Sequence, residues 1–139
     1  MNNLKIFAFY FLSFTWGVIM SLIGAIVALV LLAMGYRPKI FHHLVYFEVG
    51  NGWGGVNLGY FFIVQKGSPL SRLQHEAGHG LQNAMLGVFM PFVISIPSAI
   101  RYWYRKYRIS KGLGYTLPAY NSIWFEGWAT SLGKKYFPE

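Results

Sequence analysis

Residues 6–35 run for thirty positions without a charged side chain. A membrane-spanning helix needs about 20 apolar residues, whereas the apolar core of a signal peptide has only about 7–15. The run is long enough to span with tilt and too long for a cleaved leader, and no small-residue cleavage site clearly follows it. Arg37 and Lys39 flank its far end, and Pro38 is a helix stop. These features predict an uncleaved, single-pass N-terminal transmembrane helix, with residues 1–40 as the anchor and residues 41–139 as a second unit. Composition agrees. Hydrophobic residues make up 55% and charged residues 12%, against about 45–50% and 25% in ordinary soluble domains. A disordered chain is excluded. Only Lys5 precedes the run and eleven of the twelve Lys and Arg follow it, which places the C-terminal portion on the cytoplasmic side of a membrane. Membrane lipid is therefore an expected partner.

Past the run the texture changes. HLVYFEV and VNLGYFFIV are rich in Val, Tyr, Phe and Ile, and the turn-forming cluster GNGWGG lies between them. Two such runs around a turn cluster predict a β-hairpin or short sheet. Pro69 and Ser71 then supply helix-start signals, and Leu70, Leu73, Ala77, Leu81, Ala84 and Met85 recur at helical spacing. Gly78 and Gly80 weaken that helix, so their presence points to close approach by another backbone. A second uncharged run, residues 80–100, is interrupted by Pro91 and Pro97. Residues 121–137 predict a last helix. The fold class expected for the second unit is α+β.

The chemistry centres on His75-Glu76-Ala77-Gly78-His79, an HExxH pattern. On a helix, positions i and i+4 share a face, so both imidazoles can reach one metal ion. Glu76, beside the first of them, can take the proton of a water that the metal acidifies. A catalytic site of this kind needs a third protein ligand, and few residues can serve. The chain has no Cys and no Asp, and no His follows His79. Glu48, Glu126, Glu139, His42 and His43 remain. Glu126 is the best candidate, because it lies in WFEGWA on a predicted helix 47 residues after His79. The absence of Cys also excludes thiol catalysis and a disulfide scaffold.

The segments GGVNLGYFFIV, HEAGHGLQ, LGVFMPFVISIPS and WFEGWA together resemble a group of small bacterial zincin-like proteins, minimal gluzincins, over roughly residues 45–137. The resemblance implies a strand, an HExxH helix, an apolar helical segment ending in Pro-Ser and a Glu-bearing helix. It implies Zn2+ on His75, His79 and Glu126, with Glu76 as base. Gluzincins commonly carry Asp or Ala a few residues past the third ligand. Here Ala129 and Thr130 follow, and the Asp is missing. HEAGHGLQNAMLGV in its apolar context also resembles site-2 proteases, whose third ligand is an Asp on a later membrane helix; the lack of Asp argues against them.

A shared metal site requires His75, His79 and Glu126 to lie on one side of any bilayer. Residues 80–100 are therefore expected to dip in or form core rather than cross. Tyr60, Phe61 and Phe62 precede the metal helix and are candidates for an edge strand that holds an extended peptide. Tyr120 is a candidate donor to an oxyanion, and Gln82 and Glu48 are candidates to orient a ligand or pair with a base. RYWYRKYR, residues 101–108, interleaves cations and aromatics. It fits an interfacial belt better than a nucleic-acid surface. The function expected is zinc-dependent hydrolysis of a membrane-proximal peptide or protein segment, in a cleft that is shallow or shared with the membrane surface or a second subunit. A metal site without catalysis, and a basic membrane-surface or nucleic-acid-binding protein with an incidental HEAGH, are the alternatives.

Overall fold

The computed structural model describes residues 1–138, which form five α-helices and a four-stranded sheet. The thirty-residue apolar run is not one helix. It forms α1 (Asn3–Phe14) and α2 (Val18–Ala33), bent by 81° across residues 15–17. Among the described residues no single helix is long and apolar enough to cross a membrane, so the expected straight anchor is corrected. The physical cause is a set of polar contacts from α3 (Leu70–Leu86). Asn83 donates to the Gly17 carbonyl at 3.1 Å, and the Trp16 indole donates to the Met85 carbonyl at 3.1 Å. These bonds satisfy backbone and ring groups at the break, and Gly17 has weak helix propensity. Apolar patterning could not reveal them, because the partners lie 66 and 69 residues away in sequence.

The strands are β1 (Lys39–Phe41), β2 (Leu44–Glu48), β3 (Gly55–Leu58) and β4 (Phe61–Val64), in the order β1-β2-β4-β3. The two strand-like runs do not pair as one hairpin. VNLGYFFIV is itself a hairpin, β3–β4, turning at Gly59 and Tyr60, and β4 then pairs in parallel with β2. Gly59 supplies the positive φ of +73° that the turn requires. Asn57 locks it by accepting from the Gly59 N–H at 2.8 Å.

Both faces of the sheet are covered. Leu44, Tyr46, Phe62 and Val64 meet Ala77, Ala84, Phe9 and Phe137 on one side. Phe47 meets Ala28 and Leu31 of α2 on the other, with Val45, Phe61 and Ile63 packed around them. Such burial explains why the strands read as continuous apolar runs rather than as alternation. The segment expected to be a separate anchor thus supplies Phe9, Ala28 and Leu31 to the core.

After α3 the chain makes one 3-10 turn (Gly87–Phe89) and a π-helical segment (Pro91–Ser95), then enters α4 (Ile96–Ser110). The path bends by 116° at this point. Pro91 has no N–H to continue the α ladder, which accounts for the break. Helix α5 (Trp124–Tyr136) closes the fold against α3. The expected close backbone approach is found here. A Cβ on Gly78 would strike the Ala129 carbonyl, and one on Gly133 would strike the Gln74 carbonyl. Each glycine faces backbone, which cannot yield as a side-chain tip can. Gly78→Val is therefore expected to destabilise the protein by about 3 kcal/mol, the upper end for overpacking. Urea unfolding should show the loss as a lowered midpoint.

Candidate metal centre

Helix α3 carries His75, Glu76 and His79, and the first turn of α5 carries Glu126. The glycine-mediated crossing brings the two helices close enough for these side chains to meet. Glu126 Oε2 lies 3.4 Å from His75 Nε2, and Oε1 lies 3.2 Å from His79 Nε2. One ligand atom from each of the three residues falls within 4.8 Å of the others. Glu126 is fully buried, and His79 and Glu76 are nearly so.

Each imidazole is oriented through its other nitrogen. His79 Nδ1 meets Gln82 Oε1 at 2.6 Å, and Gln82 Nε2 donates to the Phe125 carbonyl at 2.9 Å. The second bond fixes the amide, so its oxygen faces His79 and Nδ1 carries the proton. With Nδ1 directed to Gln82, Nε2 is the nitrogen that faces the Glu126 carboxylate. His75 Nδ1 meets the Thr130 hydroxyl at 2.8 Å. Glu126 Oε1 accepts from the Ser98 hydroxyl at 3.0 Å, while Oε2 is buried without a hydrogen-bond donor. The buried carboxylate thus faces one imidazole nitrogen with each oxygen, and its Oε2 lacks a hydrogen-bond donor, an arrangement that could hold a cation among the three side chains. The residues fit a divalent metal ion: two nitrogens, one oxygen and a side open to a cavity.

Electrostatics agree. Burial pushes the Glu126 carboxyl up, but the facing imidazoles of His75 and His79 outweigh it and hold the group well below the usual carboxylate range. Burial opposes charge on His79, yet Glu126 and Glu76 prevail and raise its pKa. Burial also raises the Glu76 carboxyl; the neighbouring histidines oppose that rise and Glu126 adds to it. An elevated carboxyl pKa suits a group that must both accept and return a proton.

Glu76 lies in the wall of a cavity of about 600 Å³, which His75, Tyr120 and Thr130 also line. Gly55 of β3 makes room for it, since a Cβ there would sit 2.9 Å from Glu76 Oε1. Asn57 donates to the Glu76 carbonyl at 2.9 Å and to the Gly59 carbonyl at 3.0 Å, tying α3 to the β3–β4 turn. Tyr120 lies beside His75 with ring centroids 5.9 Å apart. Burial, and then the Glu126 carboxylate, push its phenol up. It therefore stays protonated and able to donate.

The structure brings His75, Glu76, His79, Glu126, Tyr120 and Gln82 together. It does not bring the other predicted residues to the site. Glu48 forms an ion pair with Lys39 at 2.8 Å and accepts from the Gly67 N–H, so it pairs with a base but orients no ligand. His42 sits at positive φ in the β1–β2 turn, 2.6 Å from the Pro138 carbonyl. His43 packs edge-on against Tyr10. The strand offered for substrate is also corrected. Phe61 and Phe62 lie on β4, which is hydrogen-bonded to β2 and β3 on its two sides, and Tyr60 sits in the turn against Tyr10 and Phe14. The sheet edge beside Glu76 is β3. Glu139, the remaining acidic candidate, lies outside the described residues.

Three polar residues of the site were not among the site candidates read from the sequence. Thr130, four residues after Glu126, orients His75 through its hydroxyl. Ser98 is the serine of the Pro-Ser that ends the apolar segment. Asn57 carried no signal beyond its place before a glycine turn. Much of the basic belt is also engaged within the chain: Arg101 donates to the Ala119 carbonyl, Arg105 to the Pro118 carbonyl and Arg108 to Thr116. Arg101 and Arg105 also stack on the Tyr120 ring, so α4 holds in place the loop that presents Tyr120.

Gln82→Leu is expected to leave the fold in place and weaken metal affinity by about 10–100-fold, the usual cost of losing an orienting partner. Zinc titration against a competing chelator measures it. Comparison of the chain with protein-family models, with curated proteins and with solved structures returned no match.

Proposed function

We propose that the protein is a membrane-associated, zinc-dependent peptidase of the gluzincin-like type, with His75, His79 and Glu126 as ligands and Glu76 as general base. The observation that carries the proposal is the buried Glu126 carboxylate facing two imidazole nitrogens, with an orphaned oxygen and a second, separate carboxylate beside it. A nitrogen-and-oxygen donor set without sulfur, open to a cavity on one side, suits zinc. Zinc held there supplies Lewis acidity toward a carbonyl oxygen and acidifies water. Glu76 takes the proton from the attacking water and returns it to the leaving amine. Tyr120 donates to the oxygen on which negative charge develops. The outer edge of β3, beside Glu76, offers unpaired backbone groups to an extended peptide.

Membrane association rests on the exposed apolar faces. Leu4, Phe7 and Phe11 of α1 and Leu22, Ile26 and Leu29 of α2 are exposed. A second stripe, Phe92, Ile96, Ile100, Trp103 and Tyr107, runs along the π segment and α4 at helical spacing. Surfaces of this kind mark contact with lipid or partner. The bend of 81° favours a broken helix pair lying on or dipping into the bilayer over one straight span. The formal net charge of +8 favours the anionic surface of a cytoplasmic leaflet.

The test is hydrolysis of a quenched peptide library by the detergent-solubilised, zinc-loaded protein. Cleavage that a chelator abolishes and added zinc restores supports the proposal. Stoichiometric zinc without cleavage of any library member would leave a metal-binding protein and overturn the peptidase assignment.

A further inference from the structure

The walls of the site cavity carry an uneven charge. Arg72 on α3, Arg105 and Lys106 on α4 and Lys134 on α5 all line it. They converge from three helices, and none lies within ion-pair distance of a carboxylate among the described residues. The acids that might neutralise them are committed elsewhere. Glu48 is paired with Lys39, and Glu126 faces the two imidazoles. Glu76, in the cavity wall, is buried and lies outside ion-pair distance of all four cations. Arg105 is fixed by the Pro118 carbonyl at 2.6 Å, a neutral acceptor that leaves its charge uncompensated. Helical phase explains the placement on α5. Glu126, Thr130 and Lys134 follow one another at intervals of four, so the ligand, its neighbour's orienting hydroxyl and the cation share one face. On α3, Arg72 stands four residues before Glu76, one turn nearer the helix start.

Resting on the peptidase reading, we infer that this cavity selects peptide segments that carry acidic side chains flanking the bond to be cleaved. Cations around a cleft with low-dielectric walls attract and orient an anionic ligand and repel a basic one. Lys106, whose ammonium lies 5.7 Å from the centre of the Tyr102 ring, and Lys134 are exposed point-charge donors suited to side-chain carboxylates entering from solvent. The cleft thereby discriminates by charge at positions on either side of the reacting carbonyl.

The experiment measures binding separately from cleavage. A fluorescent octapeptide containing four Glu, and its Gln counterpart, are titrated against zinc-loaded Glu76→Gln protein in neutral detergent. The acidic peptide is expected to bind about tenfold or more tightly, with the advantage shrinking as salt is raised. The double variant Lys106→Gln/Lys134→Gln should erase most of the difference, while Lys135→Gln, an adjacent exposed cation outside the cavity, should preserve it. Equal binding of the two peptides overturns the inference, as does an acidic preference that survives the double variant. So does the outcome in which the double variant loses binding to phosphatidylglycerol vesicles while the two peptides never differ, which assigns these cations to lipid. Because Glu76→Gln binds without cleaving, selective binding with no turnover by the wild type would overturn the peptidase reading alone.

Discussion

Glu126→Ala is expected to purify with almost no zinc, where the wild type carries about one ion per chain. Two imidazoles one helical turn apart hold a metal weakly without a third ligand. Among the described residues the other candidate ligands are engaged elsewhere, Glu48 by Lys39, His42 by the Pro138 carbonyl and His43 against Tyr10. The effect should extend to stability. A ligand at about 100 times its Kd stabilises the folded state by about 2.7 kcal/mol, so zinc should raise the Tm of the wild type and leave that of the variant unmoved. In the absence of metal the two proteins should differ far less, because the alanine also removes a buried carboxylate that lacks a full set of donors. Inductively coupled plasma measurement of metal content, beside melting curves with and without zinc, reads both effects. Retention of stoichiometric zinc by Glu126→Ala would show that the ligand set is wrong.

Glu76→Gln separates chemistry from binding. Glu76 shares the cavity wall with the metal centre but is not among the three residues that converge on one point. The amide is nearly the same shape, keeps its place against Gly55 and cannot accept the proton. Zinc content should stay at the wild-type level while kcat falls by about 10²–10⁴-fold, the range for loss of a general base. KM should change little, because the variant retains the walls of the cleft. Unchanged turnover in Glu76→Gln would remove Glu76 from the reaction and with it the proposed mechanism.

The candidate metal group was legible in the sequence for two physical reasons. HExxH at helical spacing places both imidazoles on one face whatever the surroundings, and scarcity narrowed the third ligand, in a chain without Asp or Cys, to a few residues. Gln82 was legible through its place one helical turn beyond Gly78. Thr130 could have been found in the same way, four residues after Glu126, had a hydroxyl been considered in place of a carboxylate. Other features depend on contacts remote in sequence. Nothing local in VNLGYFFIV distinguishes a single strand from a tight hairpin until Asn57 is seen to bond Gly59. The parallel pairing of β2 with β4 follows from that hairpin, so the misread turn also moved the substrate edge from β3 to β4. The break in the N-terminal run shows the same limit. Hydropathy records that residues 6–35 are apolar, but the bend is made by Asn83 and by the Met85 carbonyl of α3. The glycines at the α3–α5 crossing were readable as close approaches, though not which backbone approached.

The central claim is that His75, His79 and Glu126 together hold one zinc ion. The most direct measurement is zinc K-edge X-ray absorption on the zinc-loaded wild-type protein. The account predicts a first shell of two imidazole nitrogens at about 2.0–2.1 Å with the remaining positions filled by oxygen. A shell with three or more imidazoles, or one made of oxygen alone, would contradict it.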